Sequence, residues 1–344
     1  MTHPLPPAIP RGSEDIAPPA PDTPLADMLA WVVDVADRMP LPGAGATDRL
    51  WRMLGEVAAA DIEAARILEP HLDARAILAE AEADGVDTAG IRAAVGADAT
   101  STWGVFAAEG SDMRLEARRD AAGRWTLHGT KPWCSLAGSL SHALVTAWTS
   151  EETRGLFALD LRGDAVCPRT GPWAARGLPR VVSAPVDVDG APAVPVGDEG
   201  WYLRRPGFRW GGMGVAAIWH GGAAPLVAAL AQAASGERAD QLAQMYAGRA
   251  DAVHWAAGLA LASAAAEVDA GVGGDAARRL AERVRAVVAG AAEEVLALSG
   301  RALGPGPLTT DEAHARRVAD LALYLRQHHG ERDLARLGAM GGSR

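Results

Sequence analysis

The stretch KPWCSLAGSLSHALVTAW, residues 131 to 148, holds the only lysine of the chain, then a tryptophan, a cysteine and a run of small residues, before it becomes a mostly apolar strand. A tryptophan beside two small polar side chains at the start of a strand asks for a reason. Upstream, MRLEARRDAAGRWTLHGT (113–130) gives two strand-like runs around Asp120-Ala-Ala-Gly123, which is a hairpin signal. Before it, STWGVFAAE is a short apolar strand. Downstream, HALVTAWTS and RGLFALDLR are two more. APVDVDGAPAVPVG alternates apolar and polar residues, with a turn expected at Asp189-Gly190. Five or more short strands with close turns predict an antiparallel barrel or sandwich over residues 101–205.

The flanks are helical. LADMLAWVVDVADRM spaces Leu25, Met28, Leu29, Val32 and Val33 on one helix face. Thr47 is placed to cap the next helix, and Pro70 to start another. These define an N-terminal helical domain, 25–100. After the strands, four long periodic segments, 212–234, 237–271, 275–300 and 311–337, predict a four-helix bundle within 206–344. Asp311 or Thr310 is expected to cap the last segment. Residues 1–24, rich in proline, are expected to be a disordered lead.

The net charge is −10, which argues against non-specific nucleic-acid binding. Two cysteines, Cys134 and Cys167, supply neither a disulfide framework nor a metal spacing, so a reducing, cytoplasmic setting is expected. The N-terminus has no signal-peptide core and no membrane span is expected. No metal site is expected. Glu69 and Asp73 stand four apart, but no third ligand lies near them in sequence.

The order helices, small β domain, helical bundle resembles the acyl-CoA dehydrogenase family of flavoproteins. RWTLHGTKPWCSLAGSLSHALVTA (124–147) is similar to the family stretch whose hairpin reads Asn-Gly-x-Lys-x-Trp-Ile-Thr-Asn and leads into an apolar strand. VFAAEGSD (105–112) looks like a shortened form of the family loop ending Thr-Glu-Pro-Gly-x-Gly-Ser-Asp, and APVDVDGAPAVP like the last strands of its β domain. The likeness spans roughly residues 25 to 337. It implies a mainly α chain with a central β domain, FAD as cofactor, an acyl thioester as substrate, an electron acceptor it does not name, and a homo-oligomer or a hetero-oligomer with a related subunit.

Carried over by position, the resemblance implies that Trp133 packs on the flavin ring, Cys134 follows, and Ser135 donates a hydroxyl to it, with Phe106 and Ala108 on the neighbouring strand. An indole suits the ring's flat face, and donors placed where charge develops favour the reduced state. Glu109 and Ser111 would face substrate. Trp133 also has a plain reading, as a plug between the β domain and a helix, since the chain holds 11 tryptophans.

The chain departs from the family pattern. The family glutamate that takes the α-proton is replaced by Arg326, or by Leu325 after a shift of one residue. The alternative position, within WYLRRPGFRWGGMG, has no carboxylate. The Pro-Gly of the loop is lost at EGSD, and SGERADQLAQMY stands where the family clamps FAD, with Arg238 its one candidate charge. No catalytic residue is therefore assigned; His328, Arg326 and Glu331 are the candidates, His328 as a proton shuttle in the last helix. His220 is expected to pack between helices or face the pocket. Three readings follow: an acyl thioester dehydrogenase, a non-catalytic partner subunit, and a flavin-dependent monooxygenase.

Overall fold

The computed structural model describes residues 16–237 and 239–340. Most of the expected lead, residues 1–15, and Arg238 lie outside the described residues. The rest of the lead is placed: Ile16 is buried, and Thr23 N–H closes a turn onto the Ala20 carbonyl at 2.9 Å. The chain forms two compact units.

One unit comprises Pro24–Asp37 and Ile67–Gly211. It holds α1 (Leu25–Ala36), most of α3 (Ile62–Ala83), α4 (Thr88–Ala94), seven strands and the short α5 (Trp201–Arg204). The strands are β1 (Trp103–Phe106), β2 (Leu115–Arg119), β3 (Trp125–Ser135), β4 (His142–Trp148), β5 (Arg154–Asp160), β6 (Val166–Pro168) and β7 (Ser183–Pro195). They run in the order β1-β4-β2-β3-β7-β5, and β5 returns to pair with β4, so the pairings from β4 to β5 close into a ring. Most pairings are antiparallel, but β1 and β2 both pair with β4 in parallel. Ala74, Ile77 and Leu78 of α3 pack against Trp103, Leu144 and Trp201 to form its core.

The turn expected at Asp189-Gly190 is not one. β7 runs straight through it. β3 pairs with it on both sides of that point, and the register shifts by one where Leu127 faces Ala191 and His128 faces Asp189. Gly190, at φ +76°, is the extra residue of that bulge, a left-handed conformation glycine adopts cheaply. Pro70 likewise starts no helix. It lies inside α3, which is unbroken.

The other unit comprises the residues up to Thr23, Arg38–Arg66 and Gly212–Arg344. It contains α2 (Thr47–Ala60), most of α6 (Gly207–Ser235), α7 (Gln241–Asp269), α8 (Gly274–Leu303), α9 (Gly306–Thr310), α10 (Glu312–Tyr324) and α11 (Glu331–Ala339). α2 and α6 approach until their backbones touch: a Cβ on Gly221 would stand 2.1 Å from the Gly55 carbonyl oxygen. Thr47 is the first helical residue of α2 and not its cap. The capping group is the Asp269 carboxylate from the end of α7, which accepts from Thr47 N–H (3.0 Å) and the Thr47 hydroxyl (2.5 Å). Asp311 caps α10 by accepting from His314 N–H.

The fourth bundle segment is not one helix. It breaks after α10 into a 3-10 turn, Leu325–Gln327, and resumes as α11 after Gly330 at φ +55°. His328 and His329 therefore sit in a break and not on a helix. α6 also corrects an expectation, because its length and composition would suit a membrane span. Of its apolar window, 72% is buried inside the protein, as in a core helix.

Candidate functional site

In the β unit, the end of β3 is a strained corner. Trp133 has φ +58° and Leu136 φ +61°, conformations that cost a bulky L-residue about 1–2 kcal/mol each. The β3–β7 register skips from Lys131↔Val186 to Cys134↔Ala184, so Pro132 and Trp133 bulge out of the ladder. The bulge turns the indole outward, leaving Trp133 65% exposed, so it plugs nothing. Three contacts hold the corner. Leu136 N–H donates to the Val182 carbonyl at 2.8 Å, the buried Cys134 thiol donates to the Lys131 carbonyl at 3.3 Å, and the hydroxyls of Ser135 and Ser183 meet at 2.7 Å. Ser183 also donates to the Val181 carbonyl, which makes Ser135 the donor within the pair. For Ser135 to donate outward, its hydroxyl must swing off Ser183. Burial pushes the Cys134 thiol up to about 12, so it stays protonated.

Beneath the corner lies a network the sequence did not announce. Lys131 is buried, and its ammonium donates to Glu109 Oε1 at 2.7 Å and to the Thr146 hydroxyl at 2.9 Å. Arg154 and Trp148 Nε1 also donate to Glu109, at 2.8 and 3.2 Å. Burial opposes the Glu109 charge, but the Lys131 bond and charge outweigh it and hold the carboxyl below its ordinary range. Burial pulls the Lys131 ammonium below its ordinary value, against the pull of Glu109. Glu109, exposed in the loop after β1, is thus bonded by Lys131, Thr146, Trp148 and Arg154 of the strands.

Of the other ring-side candidates, Phe106 is buried in the barrel, and Ala108 is exposed in the loop that follows β1. That loop passes β3 at Gly110, whose Cβ position lies 3.4 Å from the Pro132 ring. Ser111 is exposed and bonds its neighbour Asp112. Trp133, Ser135 and Ala108 are therefore the ring-side candidates that reach the surface, and Glu109 and Ser111 are exposed in the same loop as Ala108. A large, outward, strained indole with a hydroxyl two residues on fits a flat aromatic group lying on it.

In the helical unit, the break between α10 and α11 forms a second cluster. The His328 side chain is 10% exposed, and its Nε2 lies 3.7 Å from Asp333 Oδ2. Its ring meets that of Trp219 edge-on, with centroids 6.3 Å apart, and Arg285 lies over Trp219. Burial lowers the His328 pKa more than Asp333 raises it, so the imidazole is neutral near neutral pH. Asp333 is buried, which opposes its charge. The His329 N–H at 3.1 Å and Arg336 outweigh that and keep it ionised. His328 Nε2 and Trp219 Nε1 are both buried with no hydrogen-bond partner among the described residues. Asp333 stands in sequence within QHHGERD, five residues after His328, whereas Trp219 lies far from it in the chain. Trp219 is one of many tryptophans, and only the break brings it to His328.

The remaining candidates point elsewhere. Arg326 is exposed and paired with Glu293, Leu325 is buried, and Glu331 is exposed in the first turn of α11. None of the three is a buried base. His220 stacks on His254 with centroids 3.9 Å apart and bonds its carbonyl. Among the described residues no group of three His, Cys, Asp or Glu side chains could hold a metal ion.

No family model and no curated protein matches the chain. Solved structures do. Butyryl-CoA dehydrogenase from Megasphaera elsdenii superposes with a TM-score of 0.74 at 16% identity, over 92% of this chain and 88% of that one. Nitrososynthase from Micromonospora carbonacea var. africana gives 0.72 at 18%, over 96% and 99%. FMN-bound TdsC from Paenibacillus sp. A11-2, a dibenzothiophene monooxygenase, gives 0.70 at 14%, over 91% and 94%. The chain has the acyl-CoA dehydrogenase fold.

Proposed function

We propose that the chain is a flavin-dependent oxidoreductase that works as a monooxygenase and not as an acyl thioester dehydrogenase. The observation that carries this choice is the base. Dehydrogenation of a thioester needs a carboxylate to take an α-proton, and Arg326, Leu325 and WYLRRPGFRWGGMG supply none. The break before α11 instead offers a buried, neutral imidazole with an unbonded nitrogen. The solved structures of this fold include a dibenzothiophene monooxygenase and a nitrososynthase, which is in keeping with that reading.

Bound flavin would supply the electron-transfer and oxygen chemistry. Trp133 would give its indole face to the ring, with Ala108 beside it. Ser135 would turn its hydroxyl from Ser183 toward the ring's polar edge. The substrate would be a small molecule with an aromatic or heteroatom centre; in the helical unit, His328 Nε2 would take a proton during turnover, and Asp333 would stabilise the imidazolium formed. Trp133 and Ser135 address the ring and not an adenosine, so FMN or FAD serves this reading equally.

The test is an absorbance spectrum of the purified chain before and after added FMN and FAD, followed by substrate-dependent oxygen uptake with reduced flavin. One flavin per chain, with uptake lost in His328→Ala at unchanged flavin content, is the expected result. A chain that stays colourless would sink the flavoenzyme and leave an assembly partner of an active relative. A flavin-loaded chain that oxidises acyl thioesters and ignores His328→Ala would restore the dehydrogenase.

A further inference from the structure

β7 changes partner along one edge, and the change leaves a gap. Val186–Val188 of that strand pair with β6, and Ala193–Pro195 pair with β5. Between them Asp189 N–H reaches the Ala165 carbonyl at 2.9 Å, and among the described residues no strand pairs with 190–192 on that side. Pro192 suits such an open edge, because it has no N–H to leave unpaired. β5 ends at Asp160, and a turn through Gly163 carries the chain away to β6. The fork so formed opens a cavity of about 630 Å³, whose walls include Trp125, Asp160, Asp164, Val166, Pro192 and Val194. Small-molecule sites run to roughly 300–1,000 Å³. This one lies wholly in the β unit. Trp125 starts β3 and Trp133 stands near its other end, about 25 Å along the strand, so the cavity is not the flavin corner.

The charges around the cavity are unequal in what they leave for a ligand. Asp160 is taken up by Arg162, at 2.8 and 3.0 Å, and Arg124 by Asp120, at 2.8 Å. The Asp164 carboxylate has no hydrogen bond or ion pair among the described residues, and it is exposed. The one uncommitted charge is therefore negative. The remaining walls are mostly apolar, and Val166, Pro192 and Val194 offer no side-chain donor or acceptor. Phe157 meets the Trp125 indole edge-on at 5.4 Å, and Arg119 stands 5.8 Å from that ring. Indole rings attract other rings and cations. The chain's net charge of −10 also favours a cationic ligand.

We infer that the fork between β5 and β6 binds a flat aromatic amine in its protonated form, with the ring among Trp125, Val166 and Pro192 and the ammonium on Asp164. The inference stands independently of the flavin reading. The test is calorimetric titration of the full chain with tryptamine and with indole-3-propionate, which carries the same ring and the opposite charge. Tryptamine should bind once per chain, and the acid should bind at least about fivefold more weakly, having lost an attraction and gained a repulsion. Ala165→Trp, which fills the cavity from a half-buried position in its wall, should abolish binding in a chain that circular dichroism shows to be folded. Asp164→Asn, at an exposed side chain that holds nothing in the fold, should weaken tryptamine about threefold. Added FMN should leave the tryptamine affinity unchanged. No binding of tryptamine, equal binding of the acid, full affinity in either variant, or displacement by FMN would overturn the inference.

Discussion

Trp133 carries more strain than its contacts repay. Its φ of +58° costs about 1–2 kcal/mol, and an indole that is 65% exposed recovers little by burial. Trp133→Gly should therefore raise stability to urea by about 0.5–1 kcal/mol, after the extra chain entropy of glycine is set against the strain released. The same change should remove the flavin absorbance expected of the parent chain. A fall in the urea midpoint would mean that the corner is held by Trp133 and not in spite of it. The residue types at this corner were legible in sequence, because Lys-Pro-Trp-Cys-Ser stands in a hairpin context that a resemblance can read. The strain was not legible, since no local pattern distinguishes a tryptophan at positive φ from one in an ordinary strand. Nor was the Lys131–Glu109 pair, whose partners stand 22 residues apart and meet only when the barrel closes.

Helix positions were legible where spacing decides them and illegible where a single backbone contact does. The periodic segments of the bundle became α6, α7 and α8 within a few residues. The fourth broke after Tyr324, and periodicity that continues across the break hides it. Glycines make the same point energetically. At Gly221 a methyl group would meet the Gly55 backbone at 2.1 to 2.6 Å, while at Gly290 of α8 nothing lies within 4 Å. Gly221→Ala should cost about 3 kcal/mol by forcing α2 and α6 apart. Gly290→Ala should gain about 0.8 kcal/mol by helix propensity alone. Denaturation in guanidinium reads both, and equal effects of the two changes would show that the α2–α6 approach is looser than described.

Across the whole molecule, several histidines enter the fold without a proton. Burial is the first cause in each case. It lowers His71 to about 4 and His254 to about 3, and it depresses His142, His220 and His328 as well. His71 must be neutral to accept from Trp103 N–H at 3.2 Å. The folded pKa values lie below the unfolded one of about 6.5, so the unfolded chain binds more protons in that window. Their stabilisation is complete above about pH 6.5 and drains away as the pH falls toward 4. His71 alone accounts for on the order of 3 kcal/mol. His71→Asn, which keeps an acceptor and loses the titration, should flatten the fall of Tm between about pH 7 and 4. A slope equal to the parent's would place the acid sensitivity in the carboxylates.

The burial of Lys131 has a practical corollary. With its one ε-amine inside the barrel, the folded chain shows acylating reagents no lysine at all. Opening of the β unit would release that single amine. A lysine-selective label, followed by mass over time, would then count openings of one barrel, molecule by molecule, with no competing lysine to subtract.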